Sequence, residues 1–117
     1  MTMRMKRVYA IAGGDVQAVG YRELVRKATL KRIITGFVRN LESGEVEIVA
    51  EGSQEDIEKF LEEIQINEYP IDVRNFQVPW LDASGEFRRF EIIRGDKDQE
   101  LFERIDVIGT LLYKNFG

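Results

Sequence analysis

The spacing of apolar residues changes repeatedly along the chain, and each change predicts an element. Residues 7–12, Arg-Val-Tyr-Ala-Ile-Ala, form a short apolar run, partly β-branched or aromatic, that stops at Gly13 and Gly14. This is the pattern of a buried strand. Tyr21, Leu24, Val25 and Ala28 then recur at helical spacing, which predicts an amphipathic helix over 21–32. No glycine follows directly to cap it, so its end is the least defined boundary. Between 35 and 52 the period falls to two: Val46, Ile48 and Ala50 alternate with Glu47, Val49 and Glu51, and Ser43-Gly44 supplies the turn of a hairpin. Gly52 ends that pattern. Ser53 is an expected N-cap, with Asp56 three residues on, and Ile57, Phe60, Leu61 and Ile64 mark one face of a second helix. Residues 72–80 read as a strand at a sheet edge, because Pro79 cannot donate to a ladder. Residues 87–93 read as a last strand.

The resulting order, β-α-β-β-α-β with a short final strand, is the ferredoxin-like split βαβ plan of the α+β class. Two helices should cover one face of an antiparallel sheet. A tail, 96–117, is extra to that plan. Leu101, Phe102, Ile105, Ile108, Leu112 and Phe116 fall at helix-like spacing there. Three readings stand: a third helix packed on its own domain, a helix that forms a homodimer, and a membrane-surface helix, which its acidic polar side disfavours. The expected division is a domain over 1–94 and a helical extension over 95–117.

Composition narrows the chemistry. The chain of 117 residues is long enough for one domain. Its net charge of −4 argues against broad nucleic-acid binding. No apolar run approaches the length of a membrane span, and with no signal-peptide pattern the default location is cytoplasmic. The chain has no cysteine and no histidine. Thiol chemistry, zinc-thiolate sites and the usual general base are therefore excluded. What remains for catalysis is Arg, Lys, Asn, Gln, Tyr, Ser, Thr, carboxylates and backbone groups.

The stretch Gly13-Gly14-Asp15-Val16-Gln17-Ala18-Val19-Gly20-Tyr21-Arg22 suits that inventory. It leaves a strand and enters a helix N-terminus, where backbone N–H groups without internal partners can converge on an anion. Arg22, in the first helical turn, carries a planar fork matched to two phosphate oxygens. Taken alone, a structural glycine turn explains the stretch equally well. It fits neither a Walker A loop nor G-x-G-x-x-G.

Residues 13–22 resemble the acylphosphatase signature, G-x-V-Q-G-V-G-[FY]-R. The resemblance continues through Gly36-Phe-Val-Arg-Asn40 and on to Gly52, and through residues 73–92. These blocks occur in the family's order, from about residue 6 to residue 94. The resemblance implies a hydrolase that cleaves the carboxyl–phosphate bond of acyl phosphates without metal or other cofactor. It implies that Gly14, Asp15, Val16, Gln17, Ala18, Val19 and Gly20 cradle the phosphoryl group. It also implies that Arg22 binds that group and that Asn40 positions the attacking water. An acyl phosphate has a good leaving group, so charge stabilisation and in-line positioning suffice. The alternative is a phosphate-binding or assembly module on the same fold, with weak or no catalysis. A single-strand RNA binder is a third reading, which the acidic balance and the lack of a basic aromatic stripe disfavour.

Four departures from the family pattern bear on these readings. Asp15 adds a negative charge to the loop, and its effect depends on direction; the outward one is expected. Ala18 stands where glycine is usual, and a positive φ there would strain it. Ile33 replaces a usual helix-ending glycine. The tail has no counterpart. Arg39 is expected to face away from Asn40 as a surface residue, and Gln17 is expected to hold the loop. The glutamates along 42–63 read as solvated surface, and Trp80 and Phe90 as packing residues.

Overall fold

The computed structural model describes residues 4–95. The expected helix over 96–117 lies outside the described residues. Among the described residues nine elements follow one another: β1 (Met5–Asp15), α1 (Tyr21–Ala28), β2 (Thr35–Asn40), β3 (Val46–Ser53), α2 (Gln54–Ile64), β4 (Asn67–Glu68), β5 (Ile71–Gln77), β6 (Trp80–Asp82) and β7 (Phe90–Ile93). They form one sheet in the order β4-β5-β1-β3-β2-β7, with β6 also paired to β1. The split βαβ plan is present. Its sheet is mixed, however, because β7 lies parallel to β2, whereas an antiparallel sheet was expected.

Alternation along the strands decides what faces the helices. Val8, Ala10 and Ala12 of β1, Val38 of β2, and Val46, Ile48 and Ala50 of β3 are buried there. They meet Tyr21 and Val25 of α1 and Ile57, Phe60 and Ile64 of α2 in one core. Phe90 joins it edge-on to Phe60. The Tyr21 hydroxyl donates to the Ile64 carbonyl at 2.6 Å, which ties the start of α1 to the end of α2. Burial pushes that phenol well above its usual pKa, so it stays a donor. Ser53 caps α2 as expected, accepting from the Asp56 N–H.

Helix α1 ends four residues before the expected boundary. The Thr29 hydroxyl donates to the Arg26 carbonyl, and the Arg32 guanidinium donates to the Ala28 carbonyl. Side chains thus satisfy carbonyls that a longer helix would have used. The expected strand 72–80 is split in the same way. The Val78-Pro79 link interrupts the ladder, and the Pro79 carbonyl accepts from Tyr9 N–H.

The other face of the sheet carries a second correction. Residues 83–89 cross it on the way from β6 to β7. Glu51, expected among the solvated glutamates, is buried beneath them. Its carboxylate accepts from the Ser84 and Gly85 N–H groups and the Ser84 hydroxyl, each at 2.9 Å, and from Arg7 Nε at 2.6 Å. Phe87 of the crossing segment packs edge-on to Phe37. Trp80, expected in the packing, is 38% exposed on β6.

Candidate active site

The site is built where β1 gives way to α1. Gly13 and Gly14 bracket an irregularity in the β1–β5 ladder, which turns the chain out of the sheet. Gly14 has φ +121°, and a Cβ there would lie 2.2 Å from the Asp72 carbonyl oxygen, so only glycine fits. Gly14 and Asp15 remain paired with β5, opposite Val73 and Asp72. The part of the expected cradle that lies outside any strand or helix is therefore 16–20.

Within it, Val16 is buried in the core and Val19 packs against it. Ala18 has φ +61° and Gly20 φ +85°. Gly20 is the N-cap of α1, and no side chain caps that end. The first-turn N–H groups therefore meet the anion-binding condition set by an uncapped helix start and its dipole. Arg22, partly buried, is the second residue of that turn.

Asn40 ends β2 on the same face. Period-two alternation puts it on the side of Gly36 and Val38, toward the helices. Arg39 points the opposite way, as expected, pairing with Glu47 across the outer face. Asn40 stands opposite Val46 on β3, and Val46 stands opposite Ala12 on β1. Two strand spacings, about 10 Å, thus separate the end of β2 from the approach to the loop. Gln17 spans that gap. Its amide Nε2 donates to the Leu41 and Glu45 carbonyls, both at 2.8 Å, which locks the loop to the β2–β3 hairpin just beyond Asn40. The holding role expected of Gln17 is the one it plays.

One atom stands out. Asn40 Oδ1 is buried and has no hydrogen-bond partner among the described residues. Buried side-chain acceptors are nearly always paired, so an orphan acceptor at the strand end that Gln17 ties to the loop is available to a bound donor.

Asp15 is directed outward. Its carboxylate lies 3.4 Å from Arg74 of β5, which also holds Asp72 at 2.8 Å. Arg74 and Asn75, whose side chain flanks Gly13, were not expected near the loop. Only the pairing of β5 with β1 brings them there, and no local pattern in 72–77 announces it. Among the described residues, no group of three or more Asp or Glu side chains is placed to hold a metal ion. No helix among them is long and apolar enough to cross a membrane.

Comparison with known proteins agrees with this geometry. Residues 8–92 match the acylphosphatase family model. The chain is 35% identical over 91 residues to an acylphosphatase of Geobacillus thermodenitrificans, across 78% of this chain and 97% of the relative. It is 37% identical over 90 residues to one from Pelotomaculum thermopropionicum, across 77% and 98%. The crystal structure of the Bacillus subtilis acylphosphatase superposes with a TM-score of 0.71 at 31% identity, covering 75% of this chain and 98% of that one.

Proposed function

The chain belongs to the acylphosphatase family and is an acyl phosphate hydrolase; on that premise we propose that, of the expected cradle 14–20, the part outside the ladder, 16–20, holds the phosphoryl group with Arg22 while Asn40 orients the attacking water. The N–H groups of 16–20 and of the uncapped first turn of α1 donate to phosphate oxygens, and Arg22 adds a bidentate, charge-assisted grip. Asn40 Oδ1 accepts one hydrogen bond from the water and so aims its lone pair at phosphorus. As the P–O bond to the new oxygen forms, the bond to the carboxyl oxygen breaks. The carboxylate leaves with the electron pair. The water's second proton passes to a phosphate oxygen, so a substrate dianion and water give a carboxylate and dihydrogen phosphate. No protein base is consumed, which suits a chain without histidine or cysteine. The buried, unpaired Asn40 Oδ1 is the observation that carries this reading.

The alternative, a binding module with weak catalysis, rested partly on Asp15 facing the phosphate. Its pairing with Arg74 removes that ground.

The test is hydrolysis of benzoyl phosphate by the purified chain in the presence of a metal chelator. Asn40→Ala should lower kcat on the order of 10²-fold with KM little changed, because it removes positioning and not binding. Arg22→Lys should lose roughly 10- to 100-fold in kcat/KM, since an ammonium cannot make the two-point contact. Variants that turn over like wild type would refute these assignments.

A further inference from the structure

Two large aliphatic side chains lie open to solvent just past the end of α1: Leu30 is 68% exposed and Ile33 78%. They border a groove of about 300 Å³ between the C-terminal end of α1 and the starts of β2 and β7, rimmed by Arg26, Arg32, Arg88 and Arg89. Arg26 pairs with Glu23, Arg32 with Glu63 and Arg89 with Glu91, while Arg88 has no ion-pair partner among the described residues. The groove thus combines an apolar floor with a cationic rim, and nothing in the proposed reaction uses it.

The chain's own continuation matches it in charge, in apolar content and in starting point. Residues 96–106 carry Asp96, Asp98, Glu100, Glu103 and Asp106 against Lys97 and Arg104, and interleave Leu101, Phe102 and Ile105. Strand β7 runs parallel to β2 with Ile93 opposite Arg39, so it ends far from Thr35, at the end of the sheet where α1 begins. Glu23 in that first turn is held below the usual carboxylate range by Arg26 first, then by Lys27 and by Arg94, which puts the exit beside α1. From there to the groove is the length of α1, about 12 Å for eight residues. A continuation at helical rise needs about eight residues for that distance, so the 22 residues 96–117 are long enough to reach the groove.

We infer that residues 96–117 fold back along α1 and seat on the groove of their own chain, with Leu101, Phe102 and Ile105 on Leu30 and Ile33 and the acidic residues toward the arginine rim. Ile33 then has a purpose at a position where the domain's own core makes no use of it. The inference does not depend on the catalytic assignments.

The chain has no cysteine, so a nitroxide on Arg104→Cys is a unique reporter in the full-length protein. Paramagnetic broadening of backbone amide signals should be strongest at residues 29–35 and 88–90. It should vanish from them in the Leu30→Glu/Ile33→Glu variant, whose remaining amide spectrum should be unchanged because both positions are exposed. Strongest broadening on the opposite face, at Phe37 and Ile93, would overturn the proposal, as would broadening nowhere. So would broadening seen only when spin-labelled chains are mixed with isotope-labelled, spin-free chains, since the segment would then sit on a second copy.

Discussion

Ala18 holds φ +61° in the exposed middle of the loop. An L-residue there is less stable than glycine by about 1–2 kcal/mol, partly offset by the extra freedom glycine has when unfolded. Ala18→Gly should therefore raise the unfolding free energy by about 0.5–1 kcal/mol, read from the urea midpoint, with hydrolysis retained. A lower midpoint would mean that the methyl makes a contact worth more than the strain. Tyr21 offers the converse case. Tyr21→Phe keeps the packing but leaves the Ile64 carbonyl without its 2.6 Å donor. A loss of about 1–3 kcal/mol is expected in the same measurement. The strain at Ala18 was legible in the sequence only as a condition, since composition does not report φ. The direction of Asp15 depends on Arg74, 59 positions away, and no local pattern encodes that pairing.

Gln17 is where a residue acts on an element. Its two hydrogen bonds to the β2–β3 hairpin fix the loop relative to the strand that ends in Asn40. Gln17→Ala should lower kcat about tenfold or more by loosening that relation, with a smaller effect on phosphate affinity, because the amides and Arg22 remain. Equal losses in kcat and in phosphate affinity would show that Gln17 touches the phosphoryl group itself. The elements themselves were largely legible. Alternating apolar residues in 46–50 and the spacing of Ile57, Phe60, Leu61 and Ile64 report burial directly. Element ends were less so. Helix α1 gives way after Ala28 to tighter turns, with Thr29 N–H on the Arg26 carbonyl and Leu30 N–H on that of Lys27, helped by the Thr29 and Arg32 side chains, and the strand expected over 72–80 divides at Pro79.

At the scale of the whole molecule, the segment 83–89 is what the sequence could not announce. Glu51 alternates with apolar residues as a solvated glutamate would, and only a crossing segment more than thirty positions later buries it. Burial alone would raise its pKa, but the Ser84, Gly85 and Arg7 hydrogen bonds outweigh that and hold it below the usual range. A carboxyl whose folded pKa is depressed adds stability that is present above its unfolded pKa, about 4.3, and is lost as pH falls through the folded value. The domain should thus lose stability below about pH 4.3, and Glu51→Gln should flatten that loss while lowering the unfolding free energy at neutral pH by about 2–3 kcal/mol. An acid limb as steep in the variant as in wild type would assign the pH dependence elsewhere. Arg22 and Asn40 could be singled out from the sequence because each lies in a block that resembles the family's, and the fold adds the link between them: one loop, one helix start and one strand end joined by Gln17. The most direct measurement of that link is a titration of the isotope-labelled chain with inorganic phosphate, followed by amide shifts. The N–H signals of residues 16–22 should move together and saturate, and Arg22→Lys should weaken the binding at least tenfold. Shifts confined to other residues, or unchanged affinity in the variant, would contradict the assignment of the phosphate site.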